Sequence, residues 1–197
     1  MGAARGRPEE GEATDGRSRI LAGTLACLKA GGTGGFSLQR ASELAGTSKA
    51  LLLYHFSTRE ALLDALVEWL THRVTARERS ALDRSPGVQV LDGLWGYLTD
   101  EHERGEYSVL LSLVGSGLVG GPTVAQRSAE QRRSHAARTI EEVYARLRLT
   151  PRLPLPLLTD VEQSFRDGLL VRMSQGVAPT PRASFDVFWL ALLNQSA

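Results

Sequence analysis

Residues 37–56 read SLQRASELAGTSKALLLYHF, and this stretch decides how the remainder of the chain is read. Ser37 is a suitable N-cap, because its hydroxyl can accept a backbone N–H that the first turn of a helix leaves unpaired. Leu38, Ala41, Leu44 and Ala45 then recur at helical spacing on one face. Gly46 can end that helix in a left-handed conformation without a Cβ penalty. Ser48 can cap a second helix in which Leu52 and Phe56, four apart, point inward. Ala50, Leu51, Leu53 and Tyr54 fall on the far side of it. Two short helices across a glycine turn, the second with a free outer face, describe a helix-turn-helix; an ordinary αα-hairpin is the alternative.

On the N-terminal side, residues 17–30 form an amphipathic helix through Ile20, Leu21, Thr24, Leu25 and Leu28, with Asp15 as its expected cap. Glycines 31, 32, 34 and 35 end it, and Phe36 stands where a hydrophobic staple is expected. On the other side, Ser57 with Glu60 reads as a capping box opening a helix that runs to about Ala81. Ala61, Leu62, Ala65, Leu66 and Trp69 make its apolar side.

The spacing predicts further helices over residues 88–104, 107–118, 123–149, 157–173 and 183–194, separated by Pro- and Gly-containing breaks. No alternating segments bounded by hairpin signals occur, and no internal repeat. The expected fold is all-α, with about nine helices. Residues 1–15, small, polar and charged, read as a disordered tail. Residues 16–63 read as the helix-turn-helix domain, and 64–197 as a helical C-terminal domain.

Charge is nearly balanced, with 23 basic and 22 acidic residues. Any nucleic-acid contact must therefore come from a local patch. All but two of the basic residues are arginine; Lys29 and Lys49 are the lysines. Cys27 is the single cysteine, so an internal disulfide is impossible, and its apolar surroundings suggest a buried small hydrophobe. The sequence shows neither an apolar signal core nor a run long enough to span a membrane, so a cytoplasmic protein is expected.

Two features invite an enzymatic reading. Residues 115–120, GSGLVG, match the pattern GxGxxG after an apolar run, with Glu141 and Glu142 about 20 residues on. Dinucleotide binding needs those glycines to open a helix after a strand. Here Gly121-Pro122 follows, and nothing supplies a parallel sheet. His55, His72, His102 and His135 are scattered and pair at neither i+3 nor i+4. No nucleophile–base arrangement, metal or cofactor is expected, and a dinucleotide-dependent enzyme is kept only as the alternative.

The segments 46–49 (GTSK), 52–56 (LLYHF) and 57–62 (STREAL) together resemble the DNA-binding domain of the TetR family of bacterial repressors over residues 17–70. The resemblance implies that residues 48–55 form a recognition helix in the major groove. Lys49, Ala50 and Leu53 would lie at base edges, with Gln39 reaching in from the preceding helix. Ser37, Tyr54, His55 and Arg59 would hold phosphates, and Thr47 and Ser48 complete the DNA-facing set. The chemistry is consistent: Gln reads adenine, Lys donates to guanine, and small apolar groups meet a thymine methyl. Leu53 departs from the family, which most often has Tyr there.

The resemblance further implies a homodimeric repressor released from a palindromic operator by a small molecule bound in the C-terminal domain. Trp95, Tyr97, Tyr107, Leu111 and Tyr144 are the expected lining of that pocket. Leu158, Val161, Phe165, Leu169, Phe185, Phe188, Trp189 and Leu192, on the last two helices, are the expected dimer interface. The same faces would serve equally as ordinary core. Neither operator nor effector can be named from the residues.

Overall fold

A computed structural model describes residues 10–119 and 122–196. Among them are nine α-helices and no β-strand; a single isolated bridge joins Pro151 to Ser196. The helices are α1 (Glu10–Gly31), α2 (Leu38–Leu44), α3 (Lys49–Phe56), α4 (Arg59–Asp83), α5 (Val90–Arg104), α6 (Glu106–Gly115), α7 (Pro122–Leu147), α8 (Leu155–Ser174) and α9 (Pro181–Leu193). No described helix is long and apolar enough to cross a membrane.

Of the expected N-terminal tail, residues 1–9 lie outside the described residues. Residues 10–15 are instead the opening turns of α1, so that helix starts upstream of the Asp15 cap. Nothing in 10–15 is a proline, and a helix already nucleated extends at little cost.

The N-terminal unit closes around Ile20, Leu21, Cys27, Leu28, Ala41, Leu52, Phe56, Leu62 and Leu66, all buried. Each buried leucine or phenylalanine contributes roughly 2 kcal/mol from its apolar area. Gly23 sets how close α1 and α2 come: a Cβ there would stand 2.5 Å from the Ala45 backbone nitrogen. Helix α4 leaves this unit and continues into the C-terminal one, where α5, α6 and α7 pack along it and α8 and α9 complete the second layer.

Two sequence expectations about ends and faces are corrected. Thr58, not Ser57, caps α4: its hydroxyl accepts the Ala61 N–H at 3.0 Å. Ser57 instead closes α3 with a positive φ of 55°. Leu44, expected on the inner face of α2, is half exposed, because α2 is only seven residues long and Ala45 already fills the contact with α1.

The C-terminal core is different in kind. Glu78, Glu101, Glu106, Arg132, Glu162 and Arg166 are all buried there. Arg166 reaches Glu78 at 2.7 Å and Glu162 at 3.3 Å, and Thr139 donates to Glu78 at 2.7 Å. Arg132 meets Asp167 at 2.9 Å, and the Tyr107 hydroxyl donates to the same carboxylate at 2.7 Å. Arg77 pairs with Glu101 and, at 2.8 Å, with Glu106, which Arg73 also holds at 3.0 Å. These pairs join α4 to α5, α6 and α8, and α7 to α8.

Candidate nucleic-acid interface

Helix α3 is short; a side chain caps its start, and the Ser57 backbone N–H, donating to the Leu53 carbonyl, closes its end. Ser48 accepts the Leu51 N–H at 3.1 Å to start it, and Gly46, at φ +63°, allows the turn from α2. Ser37 caps α2 in the same way, accepting from the Arg40 N–H at 3.2 Å. Leu52 and Phe56 anchor the inner face of α3 in the core. Lys49, Ala50, Leu51 and Tyr54 consequently stand outward, with Tyr54 72% exposed.

The expected DNA-facing residues gather at one end of the molecule, but not all in the same state. Ser48, Lys49, Ala50 and Tyr54 are exposed on and beside α3, and Thr47 is half-buried in the turn. Leu53 is half-buried and packs against the core, so only part of it is presented. Gln39 is exposed on α2, and its amide donates to Glu43 at 2.8 Å. Its second N–H and its carbonyl oxygen stay available to a base edge. Ser37 is exposed, with its hydroxyl engaged as the cap. His55 turns sideways toward Gly16 on α1, and its ring meets Tyr54 edge-on at 5.6 Å. Arg59 lies in the first turn of α4 with its guanidinium over the Phe36 ring at 5.1 Å. That contact places a cation beside the N-terminus of α4, where backbone N–H groups already favour an anion.

Residues outside the expected DNA-contact set also belong to this surface. Leu51 presents an apolar side chain, 44% exposed, between Lys49 and Tyr54. Arg40 is exposed on α2, and Arg17 stacks over Phe56 at 5.1 Å. A count by segment would have found the cations. Residues 16–63 hold Arg17, Arg19, Lys29, Arg40, Lys49 and Arg59 against only Glu43 and Glu60, while the whole chain is +1; of these, Arg17, Arg40, Lys49 and Arg59 stand on or beside α2 and α3, and Lys29 lies instead near the α5–α6 corner. Such a patch attracts phosphate through screened charge, and an outward helix can enter a major groove about 12 Å wide.

The other expected sites are rearranged. Tyr107 is locked in the Asp167–Arg132 cluster, and the Tyr144 hydroxyl donates to the Leu192 carbonyl at 3.1 Å. Trp95 packs on Phe185 at 5.4 Å, and Leu111 packs against the core. Of the five residues expected to line a ligand pocket, Tyr97 borders a space of about 10 Å³ within the core and a recess of about 360 Å³ between α4 and α5 whose walls carry Arg77, Asp100 and Glu101. Large aromatics filled the core rather than leaving it hollow.

Five of the residues expected at a dimer interface, Leu158, Leu169, Phe185, Trp189 and Leu192, are buried within the protomer. The apolar side chains that α8 and α9 leave outside are Leu157, Val161, Val187 and Leu190, with Phe165 and Phe188 stacked at 4.0 Å and half-buried between the helices.

The glycine motif ends a helix. Gly115 is the last residue of α6, Gly117 has a φ of +67°, and Gly120 lies outside the described residues. With a helix in place of the strand before the glycines, the phosphate-binding arrangement is not built, and the enzymatic alternative is not favoured.

Residues 20–66 match the model for bacterial regulatory proteins of the tetR family. The chain is 27% identical over 113 residues to the HTH-type transcriptional regulator CymR of Pseudomonas putida; the match covers 55% of this chain and 54% of that protein. It thus spans about half the length of that relative. A TetR family transcription regulator from Marinobacter aquaeolei has the same fold, with a TM-score of 0.69 at 18% identity, over 96% of this chain and 99% of that one. A TetR transcription regulator from Haloarcula marismortui matches at 0.73 and 19%, over 93% and 100%. A transcriptional regulator from Rhodococcus sp. matches at 0.74 and 14%, over 91% and 97%.

Proposed function

We propose that this chain, TetR-type in its N-terminal domain and in its fold, is a homodimeric repressor that leaves a palindromic operator when a small molecule binds. The observation that carries the reading is the outward face of α3, where Lys49, Ala50, Leu51 and Tyr54 stand over a buried anchor of Leu52 and Phe56. Lys49 and Gln39 supply donors for base edges, Leu51 and Ala50 offer apolar contact to thymine methyls, and Arg59 with Tyr54 grips phosphates on either side. Leu53, being half-buried, supports α3 more than it reads.

The dimer is supported by Leu157, Val161, Val187 and Leu190, an exposed apolar set on α8 and α9. Two copies joined isologously through these helices would form a four-helix interface and present two α3 helices about one DNA turn, near 34–36 Å, or somewhat more apart. Such a dimer reads a palindrome.

Selection from a random duplex pool yields the operator, and two variants test the face. Tyr54→Ala and Arg59→Ala should each weaken operator binding tenfold or more. The slope of log affinity against log salt should fall by about one for Arg59→Ala. If both variants bind as the wild type does, α3 is not the reading helix. The dimer is tested by Leu190→Glu, which should shift the sedimenting species to a monomer; an unchanged dimer would move the interface elsewhere.

A further inference from the structure

One sizeable recess borders the C-terminal domain outside its core. It is a groove of about 420 Å³ between the end of α1 and the α5–α6 corner, open on one side. Its floor is apolar, with Leu28 and Val109; its walls carry Lys29, His102, Ser108 and Ser112. The volume lies within the range of small-molecule sites.

Ser174 at the groove donates to the Val171 carbonyl, but four other polar groups here are uncommitted, which sets this groove apart from the ion-paired core. Among the described residues, Lys29, Ser108 and Ser112 have no hydrogen-bond or ion-pair partner. The His102 Nδ1 is buried and also lacks one. A shielded ring nitrogen without a partner is costly, and a ligand oxygen or hydroxyl would relieve it. No carboxylate lines the groove, since Glu101 and Glu106 on the same corner are held by Arg73 and Arg77 on α4. Lys29 is thus the single full charge at the site, and it lies close over Gly105, with its Cε 3.5 Å from where a Cβ would stand.

We infer that this groove binds a small organic anion, its acid group held by Lys29 and the Ser108 and Ser112 hydroxyls and its apolar body against Leu28 and Val109. A bare inorganic ion would leave the apolar floor and most of the volume unused. The position also has a consequence for regulation, which rests on the DNA-binding reading above. Lys29 belongs to α1, on which α2 packs, whereas Ser108 and Ser112 belong to α6, tied to α4 through Glu106. A ligand gripping both walls fixes one unit against the other.

The test uses the full chain, calorimetric titration and five probes: benzoate, hexanoate, their neutral counterparts benzamide and hexanamide, and inorganic phosphate. At least one carboxylate should bind at least tenfold more tightly than its amide. Lys29→Met, which keeps the stem of an exposed and unpaired side chain, should abolish that preference while leaving the thermal midpoint unchanged. Ser108→Ala with Ser112→Ala should weaken the same carboxylate severalfold. Amides binding as well as carboxylates, phosphate binding with neither carboxylate, no binding of any probe at 20 mM, or an unchanged Lys29→Met would each overturn the site. A carboxylate that binds yet leaves the affinity for the selected duplex unchanged overturns the coupling alone. Failure of the wild-type chain to bind any duplex would instead strike at the DNA-binding reading.

Discussion

Between Ile20 and Leu66 the buried side chains are aliphatic, aromatic, the Cys27 thiol or small hydroxyls such as Thr24 and Ser42; beyond that point the core admits Glu78, Glu101, Glu106, Arg132, Glu162 and Arg166. Apolar packing is tolerant of direction and forgiving of small shifts. A buried ion pair is neither: it holds only at hydrogen-bond distance, and a lone member left behind is strongly unfavourable. The first arrangement suits a unit that must present one rigid helix. The second suits a unit whose helices must meet in a single register, and it stakes much on each charge.

That contrast is open to direct attack, beginning where the expected effect is greatest. Arg166→Met removes the cation from between Glu78 and Glu162 and should cost about 3–5 kcal/mol in denaturant unfolding. A loss below about 1 kcal/mol would mean the buried charges are not interdependent. Leu52→Ala, the matching cut in the N-terminal core, should cost about 3 kcal/mol by cavity formation.

A pH series sharpens the comparison further. Burial pushes the Glu162 carboxyl up to about 7, against the opposing pull of Arg166, with Glu78 and Asp167 adding to the rise. In the unfolded chain the group titrates near its ordinary 4.5. Between those values the folded protein keeps a proton that the unfolded chain has lost. Stability from this group therefore falls as pH rises through the window and levels off above it. Glu162→Gln should remove that decline, which over the full window amounts to about 3 kcal/mol, and be the more stable protein at pH 8. Parallel curves for the two proteins would show that Glu162 is ionised throughout.

The smallest effect concerns helix ends. Thr58→Ala should lose about 1 kcal/mol with the cap of α4, whereas Ser57→Ala should lose no more than a few tenths. The reverse order would restore Ser57 as the cap.

How far the sequence could be read follows the same division. Caps, turns and an amphipathic face are set by residues three or four apart, so Ser37, Gly46, Ser48, Leu52 and Phe56 announced α2 and α3 almost in place. The single-residue error at Ser57 and Thr58 reflects two adjacent hydroxyls of equal capping chemistry. The C-terminal half was less legible, because its partners are distant. Arg166 and Glu78 are 88 residues apart, Tyr107 and Asp167 60, and local spacing cannot pair them. An arginine-rich helix such as α7 reads as solvated, yet Arg132 is buried. For the same reason Leu158, Leu169, Phe185, Trp189 and Leu192 could not be assigned between core and interface: apolarity alone does not say which neighbour covers a face. Lys29 and His102 were visible only as unrelated residues until α1 and the α5–α6 corner came together.

Helix α4 has one further consequence, and it is a matter of leverage. From Arg59 to Glu78 the helix runs 19 residues, about 28 Å at 1.5 Å each. Its far end is clamped by Arg73, Arg77 and Glu78 to three other helices, and its near end carries Arg59 beside the surface proposed to meet DNA. A rod of that length converts a rotation of about 5° at the clamp into a sweep of about 2–3 Å at the tip. Base contacts tolerate only a fraction of that. An angular adjustment too small to disturb the fold would be large enough, at Arg59, to change which phosphate is within reach.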